Sequence, residues 1–205
     1  MYTDRYNDSM QRAPRQTREV IVEAADRLFY AEGIRKVGVD AIAAEAGVTK
    51  RTLYYHFKSK DELVAAYLES RHAPTLAMLR RTLTGDGDLQ QRVRGFFLAL
   101  HQRVQSQEWK GCLFLRTVAE LRSEPGHPAL EIAAGHKEAV EDLFREHLEA
   151  SGASQAPLHA QQLLLLYDGT IIEVLVRSEP DYALAAGDAA ARIVGAALAA
   201  GTAPE

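Results

Sequence analysis

From about residue 16 to residue 200 the chain is written in helix-length segments, and this pattern limits its fold more than any other feature. Alanine and leucine abound, β-branched runs are short, and Gly or Pro mostly falls between the segments. The segments predict helices over about 17–31, 39–46, 49–57, 60–83, 89–106, 113–123, 128–151, 157–178 and 182–200. In the first of these Val20, Ile21, Ala24, Ala25, Leu28 and Phe29 share one face, and Gly33 follows where a left-handed closing residue is wanted. Ser59 with Asp61 and Glu62 marks the start of the fourth. Pro74 lies inside it, which predicts a kink or break over residues 72–74, because proline removes a hydrogen bond and clashes with the preceding turn. "SEPGHP" and "SGASQAP" are the clearest breaks further on. An all-α fold is expected.

With 205 residues the chain suits one ordinary domain, or a small domain joined to a larger one. No uninterrupted apolar run reaches the roughly 18 residues of a membrane span. The first 18 residues are polar, without the apolar stretch of a secretory leader. A single cysteine, Cys112, excludes an internal disulfide framework and a multi-cysteine zinc site, so a reducing, cytoplasmic setting is expected. The net charge of −4 hides an asymmetry. Residues 1–60 hold 11 Lys and Arg against 8 Asp and Glu, whereas residues 61–205 hold 13 against 20, so the basic end is the one to face a polyanion.

Within that end, "VTKRTLYYHFKSK" (residues 48–60) holds four cations, no acid and four consecutive rings. Residues 39–57 read as helix, tight turn at "EAGV", helix. Ala43 and Ala44 are small where two helices must approach, Gly47 lets the backbone turn, and Val48 fills the angle, which is the layout of a helix-turn-helix. Leu53 and Phe57, four apart, face the core and leave Thr49, Lys50, Arg51, Thr52, Tyr55 and His56 outward. Residues at the start of such a helix reach base edges in the major groove, where Lys and Arg donate to guanine and Thr bonds or touches the thymine methyl. Tyrosine hydroxyls, His56 and Lys60 suit phosphates.

The stretch "VDAIAAEAGVTKRTLYYHFKSKDEL", with "REVIVEAADRLFYAEGIRKVGV" before it, resembles the N-terminal DNA-binding domain of the TetR family of transcriptional regulators over about residues 16–63. The resemblance implies that Thr49, Lys50, Arg51 and Thr52 read bases. It implies that Tyr54, Tyr55, His56 and Lys60 hold phosphate, with Thr17 and Arg18 at further backbone contacts. Two positions depart from the family pattern. Gly38 replaces a hydroxyl residue common at the start of the second helix, and Asp40 stands where some members place a base-contacting side chain. An acid at that point favours cytosine N4 or simply caps the helix.

The later segments resemble the family in "GCLFLRTVAEL", "HPALEIAAGHKEAV" and "LLLLYDGTI". The expected organisation is a flexible arm over 1–15, a helix-turn-helix domain over 16–62, and an effector-binding and dimerisation domain over 63–205. One recognition helix contacts few base pairs, so a homodimer is expected on an inverted-repeat, double-stranded operator. The apolar segment "LLLLYDGTIIEVLV" and the small residues of "AAARIVGAALAA" supply its surface, with Leu164, Ile171, Leu175, Ile193 and Ala197 at the interface.

Phe97, His101, Trp109, Phe114 and Leu115, with Tyr167 across from them, are either core or the lining of a pocket for an apolar or aromatic effector. Asp168 is either a structural ion pair or part of that lining. Cys112 is either a thiol sensor activated by Lys110 and a helix start or a small buried hydrophobe. The chain holds no phosphate-cradling glycine loop, nucleophile elbow or metal-ligand helix, and His127 and His136, nine apart, make no helical metal pair. A ligand-responsive repressor is therefore expected, without enzymatic activity, cofactor, metal or membrane.

Overall fold

A computed structural model describes residues 3–201, with side chains from Gln16 onward. Among the described residues the regular elements are all helices: α1 (Thr3–Glu32), α2 (Val39–Glu45), α3 (Lys50–His56), α4 (Lys60–Leu83), α5 (Leu89–Val104), α6 (Leu113–Leu121), α7 (Pro128–Ala150), α8 (Ala156–Arg177) and α9 (Tyr182–Gly201). The α1 helix begins ahead of the start near residue 17 read from the sequence, and the arm expected over 1–15 lies outside the residues whose side chains are described. It closes at Gly33, which takes φ +93° and donates its N–H to the Phe29 carbonyl at 3.0 Å.

Of the kink or break expected over residues 72–74, the break does not occur, since α4 runs through Pro74. A proline in a helix interior costs about 3 kcal/mol. Leu63, Val64, Tyr67 and Leu68 bury the helix before it, and Leu79 and Leu83 bury it after. Packing at both ends outweighs one lost hydrogen bond.

By packing, the chain divides into two units. The first holds the chain up to Arg71 together with Leu113–Ala133, and the second holds His72–Cys112 and the chain from Ala134 onward. The boundary therefore differs from the one read at residue 62, and α6 joins the helix-turn-helix. Hydrogen bonds between residues far apart in sequence explain this. Arg35 donates from its backbone to Glu120 Oε2 (2.9 Å) and from its guanidinium to the Glu120 carbonyl (2.8 Å), Ser123 Oγ (2.9 Å) and Glu124 Oε1 (2.9 Å). Arg116 donates to the Tyr30 carbonyl at 2.8 Å, and His127 Nε2 lies 3.5 Å from Asp61.

In the second unit α9 packs on α5 and α8. By length and composition α9 could cross a membrane, but Ala183, Ala190, Ala191, Val194 and Ala197 are buried in this bundle. Gly187 permits the α5 approach, since a Cβ there would stand 3.0 Å from that of Phe97. Phe96 centres the core, its ring 5.1 Å from Phe144 and 5.3 Å from Tyr167.

The same unit holds a buried histidine against a half-buried one. His136 on α7 is 2% exposed, and its Nδ1 lies 3.2 Å from Nδ1 of His72 on α4. Burial, and then the Lys137 ammonium and His72, push His136 down to about 3. The unfolded chain takes up a proton near the ordinary value of about 6.5 while the folded one does not, so stability is lost as pH falls from that value toward 3. His136→Gln should flatten this acid limb. Thermal melts from pH 7 to 4 should show the unaltered protein losing several degrees more than the variant; parallel curves would mean the pair carries no such penalty.

Candidate nucleic-acid interface

The turn between α2 and α3 is built as the glycine requires. Gly47 takes φ +66°, its N–H reaching Ala44 O (3.1 Å), and Val48 N–H closes onto Ala43 O (2.9 Å). Gly38 caps α2 without a side-chain bond, in keeping with its missing hydroxyl. Thr49 caps α3, its Oγ1 accepting the Thr52 N–H at 3.1 Å and lying 2.8 Å from Thr52 Oγ1. Leu53 and Phe57 are fully buried, each contributing about 1.5–3 kcal/mol of transfer free energy. Their burial turns the opposite face of α3 outward.

On that face Lys50 Nζ lies 2.9 Å from Asp40 Oδ1 and 3.0 Å from Oδ2, and this carboxylate raises the lysine's pKa. The Arg51 side chain is exposed and makes no hydrogen bond or ion pair with another described residue. Tyr54 is exposed, and Tyr55 is 72% exposed with its ring set edge-on to His56 at 5.1 Å. Arg18 stacks over Phe57, its guanidinium 4.8 Å from the ring centroid, and Thr17 is half-buried beside it in sequence. Lys60 is placed differently from the other phosphate candidates. Its ammonium donates to the Ile34 carbonyl at 2.6 Å and stands 5.9 Å from the Phe29 ring, and burial lowers its pKa. It ties the start of α4 to the loop after α1, a role that the charge pattern of the sequence could not reveal.

The second unit encloses a cavity of about 80 Å³ lined by Met78, Leu79, Thr82, Phe96, Ala99, Leu100, Arg103 and Tyr167. Of the residues expected to line an effector pocket, Tyr167 alone lies on this wall, its hydroxyl pushed up to about 12 by burial. Phe97 points from α5 toward Gly187 of α9 instead. His101 lies with Nδ1 3.1 Å from the Gln105 amide nitrogen and Nε2 3.1 Å from Asp181 Oδ1. Trp109 is half-buried, its indole N–H enclosed without a partner among the described residues. Phe114 and Leu115 belong to the first unit. Cys112 is a buried free thiol, and Asp168 takes the structural course, bonded to Lys137 at 2.5 Å. Phe96 and Arg103, on the wall, fall within the 96–118 segment that the sequence offers for a pocket but are not singled out there, because only the fold brings α4, α5 and α8 around one point.

The expected interface residues also separate. Ile171 and Ala197 are buried within their own unit, Leu164 and Ile193 are half-buried, and Leu175 is exposed yet covers Gly111. The exposed apolar residues of α8 are Leu158, Leu165, Ile172 and Val176 together with Leu175 of the expected set, with Leu165 71% and Val176 75% exposed. The sequence reads this part of α8 as apolar on nearly every face and offers no means of choosing which one turns outward.

Residues 21–67 match the family model described as "Bacterial regulatory proteins, tetR family". The HTH-type transcriptional regulator TtgR of Pseudomonas putida is 47% identical over 57 residues, 28% of this chain and 27% of TtgR. The chain thus spans about a quarter of the length of that relative. HTH-type transcriptional regulator TtgW of the same species is 33% identical over 96 residues, 47% of this chain and 69% of TtgW. The crystal structure of SCO4454, a TetR-family transcriptional regulator from Streptomyces coelicolor, superposes with a TM-score of 0.75 at 29% identity, covering 92% of this chain and 97% of that one.

Loss of the α3 cap should be measurable in isolation. Thr49→Ala is expected to lower stability by about 1 kcal/mol, and Thr49→Ser to retain most of it, in denaturant titrations; an alanine variant as stable as the parent would remove the cap from the account of how α3 is held.

Proposed function

Because the chain belongs to the TetR family of bacterial regulatory proteins, we propose that it is a dimeric, ligand-responsive transcriptional repressor acting on an inverted-repeat operator in the cytoplasm. The observation that carries this is the outward face of α3. Thr49, Lys50, Arg51 and Thr52 occupy its first turn, held there by the burial of Leu53 and Phe57. In this reading the first turn enters the major groove while Arg18, Thr17, Tyr54, Tyr55 and His56 meet phosphates. Lys60, tied to Ile34, supports the backbone of the site and gives up the phosphate role.

The second unit serves dimerisation and effector binding. Two copies join through the α8 stripe of Leu158, Leu165, Ile172 and Val176, because a two-fold operator calls for a two-fold protein. The effector is a small apolar or aromatic molecule that enters the cavity beneath Tyr167 and Phe96, with Arg103 and Thr82 as its polar handles. A space of about 80 Å³ is below the roughly 300 Å³ of most ligand sites, so binding opens it further. The effector releases DNA only by preferring that opened, DNA-incompetent state. Met78, Leu79 and Thr82 on the wall belong to α4, whose earlier turns lie in the first unit, so the signal travels along this helix.

Footprinting across DNA from the protein's own gene neighbourhood, over a salt series, tests the reading. A protected inverted repeat should weaken steeply with salt, and Arg51→Ala should weaken it about 10-fold or more. Absence of any protected site there and in a genome-wide selection of bound fragments would refute it. The dimer is tested separately. Leu165→Glu with Val176→Glu should sediment as a folded monomer and lose operator binding, whereas a variant that stays dimeric would place the interface elsewhere.

A further inference from the structure

The four residues in the first turn of α3 are not equally available. The Thr49 and Thr52 hydroxyls bond to each other, and Lys50 is held by both carboxylate oxygens of Asp40 on α2. Arg51 alone has no described partner. Asp40 and Lys50 are both largely exposed, so their ion pair adds little to folding. An acid on a surface turned toward a polyanion also repels it. A residue that gives little stability and opposes non-specific binding has its value in discrimination.

We infer that Asp40 is a specificity-determining residue: it holds Lys50 so that the pair reads one G·C base pair in each half of the operator. This rests on the reading of α3 as the recognition helix. The chemistry is complementary. Guanine offers N7 and O6 as adjacent acceptors in the major groove, and its paired cytosine offers the N4 amino donor beside them. The Lys50 ammonium has three N–H groups, of which Asp40 occupies only part, and the Asp40 carboxylate keeps lone pairs beyond those turned to Lys50. The ion pair therefore presents a donor next to an acceptor, in the order that guanine and its cytosine present acceptors next to a donor. Thymine in the cytosine's place sets its O4 and methyl group against the carboxylate, so a T is rejected there. By engaging Lys50, Asp40 also keeps the ammonium from settling on any passing phosphate, which lowers affinity for unrelated sequences.

Among the described residues the Asp40 carboxylate hydrogen-bonds to Lys50 alone and is largely exposed, so Asp40→Ala and Asp40→Asn should fold as the parent does, which circular dichroism and melting verify. The experiment is selection from a random-sequence duplex pool with the full-length parent, both Asp40 variants and Lys50→Ala, followed by binding to a selected and an unrelated duplex over a salt series. The parent should select an invariant G·C at one position per half-site. Asp40→Ala should relax that position by about 5-fold or more and leave the others alone. It should also bind the unrelated duplex more tightly, with a salt slope steeper by about 1 for the phosphate contact that Lys50 gains. Lys50→Ala should lose the same G·C preference with weaker binding overall. Asp40→Asn should behave as Asp40→Ala, because the amide loses the charge that holds Lys50. An Asp40→Ala variant with unchanged base preference and salt slope would overturn the inference while leaving the DNA reading intact. A parent that selects no sequence would overturn the DNA reading and this inference together.

Discussion

The burial of Leu53 and Phe57 is the constraint on which the outward chemistry of α3 depends. Both side chains are fully enclosed, and their spacing of four places them on one stripe of a seven-residue helix. A helix this short has almost no stability of its own, so its orientation is a property of the pocket that receives those two residues. Arg18 stacked on the ring of Phe57 and Thr49 bonded to the Thr52 N–H close the two ends. With the buried stripe set, the cationic and hydroxyl residues have one direction left to face.

The first unit is completed by a segment distant in sequence. Arg35 reaches Glu120, Ser123 and Glu124 across some 85–89 residues, and Arg116 returns to Tyr30. These contacts are mostly exposed hydrogen bonds, each modest in net worth, and their effect is to fix the register of α6 more than to add stability. Two long helices, α4 and α7, have residues in both units.

The second unit follows a different logic. Its core is assembled around Phe96, with Gly187 letting α5 and α9 close on each other. Tyr167 sits where that core is incompletely filled, and the small cavity beside it is apolar apart from Arg103, Thr82 and the tyrosine hydroxyl.

The sequence by itself determined the helices, the glycine turn at Gly47, the buried pair on α3 and the family, because each of these depends on residues within a few turns of one another. Of the kink or break expected at Pro74, the break does not occur, since burial on both sides holds the helix together through it. Only the tertiary structure decided which apolar face of α8 is core, with Ile171 turned in and Leu165 turned out. It alone decided that Lys60 serves the Ile34 carbonyl and that Asp40 holds Lys50 across the turn. Periodicity reports that a residue lies on a face, but which partner lies opposite that face is set by residues tens of positions away, and a charged group's task depends on that partner.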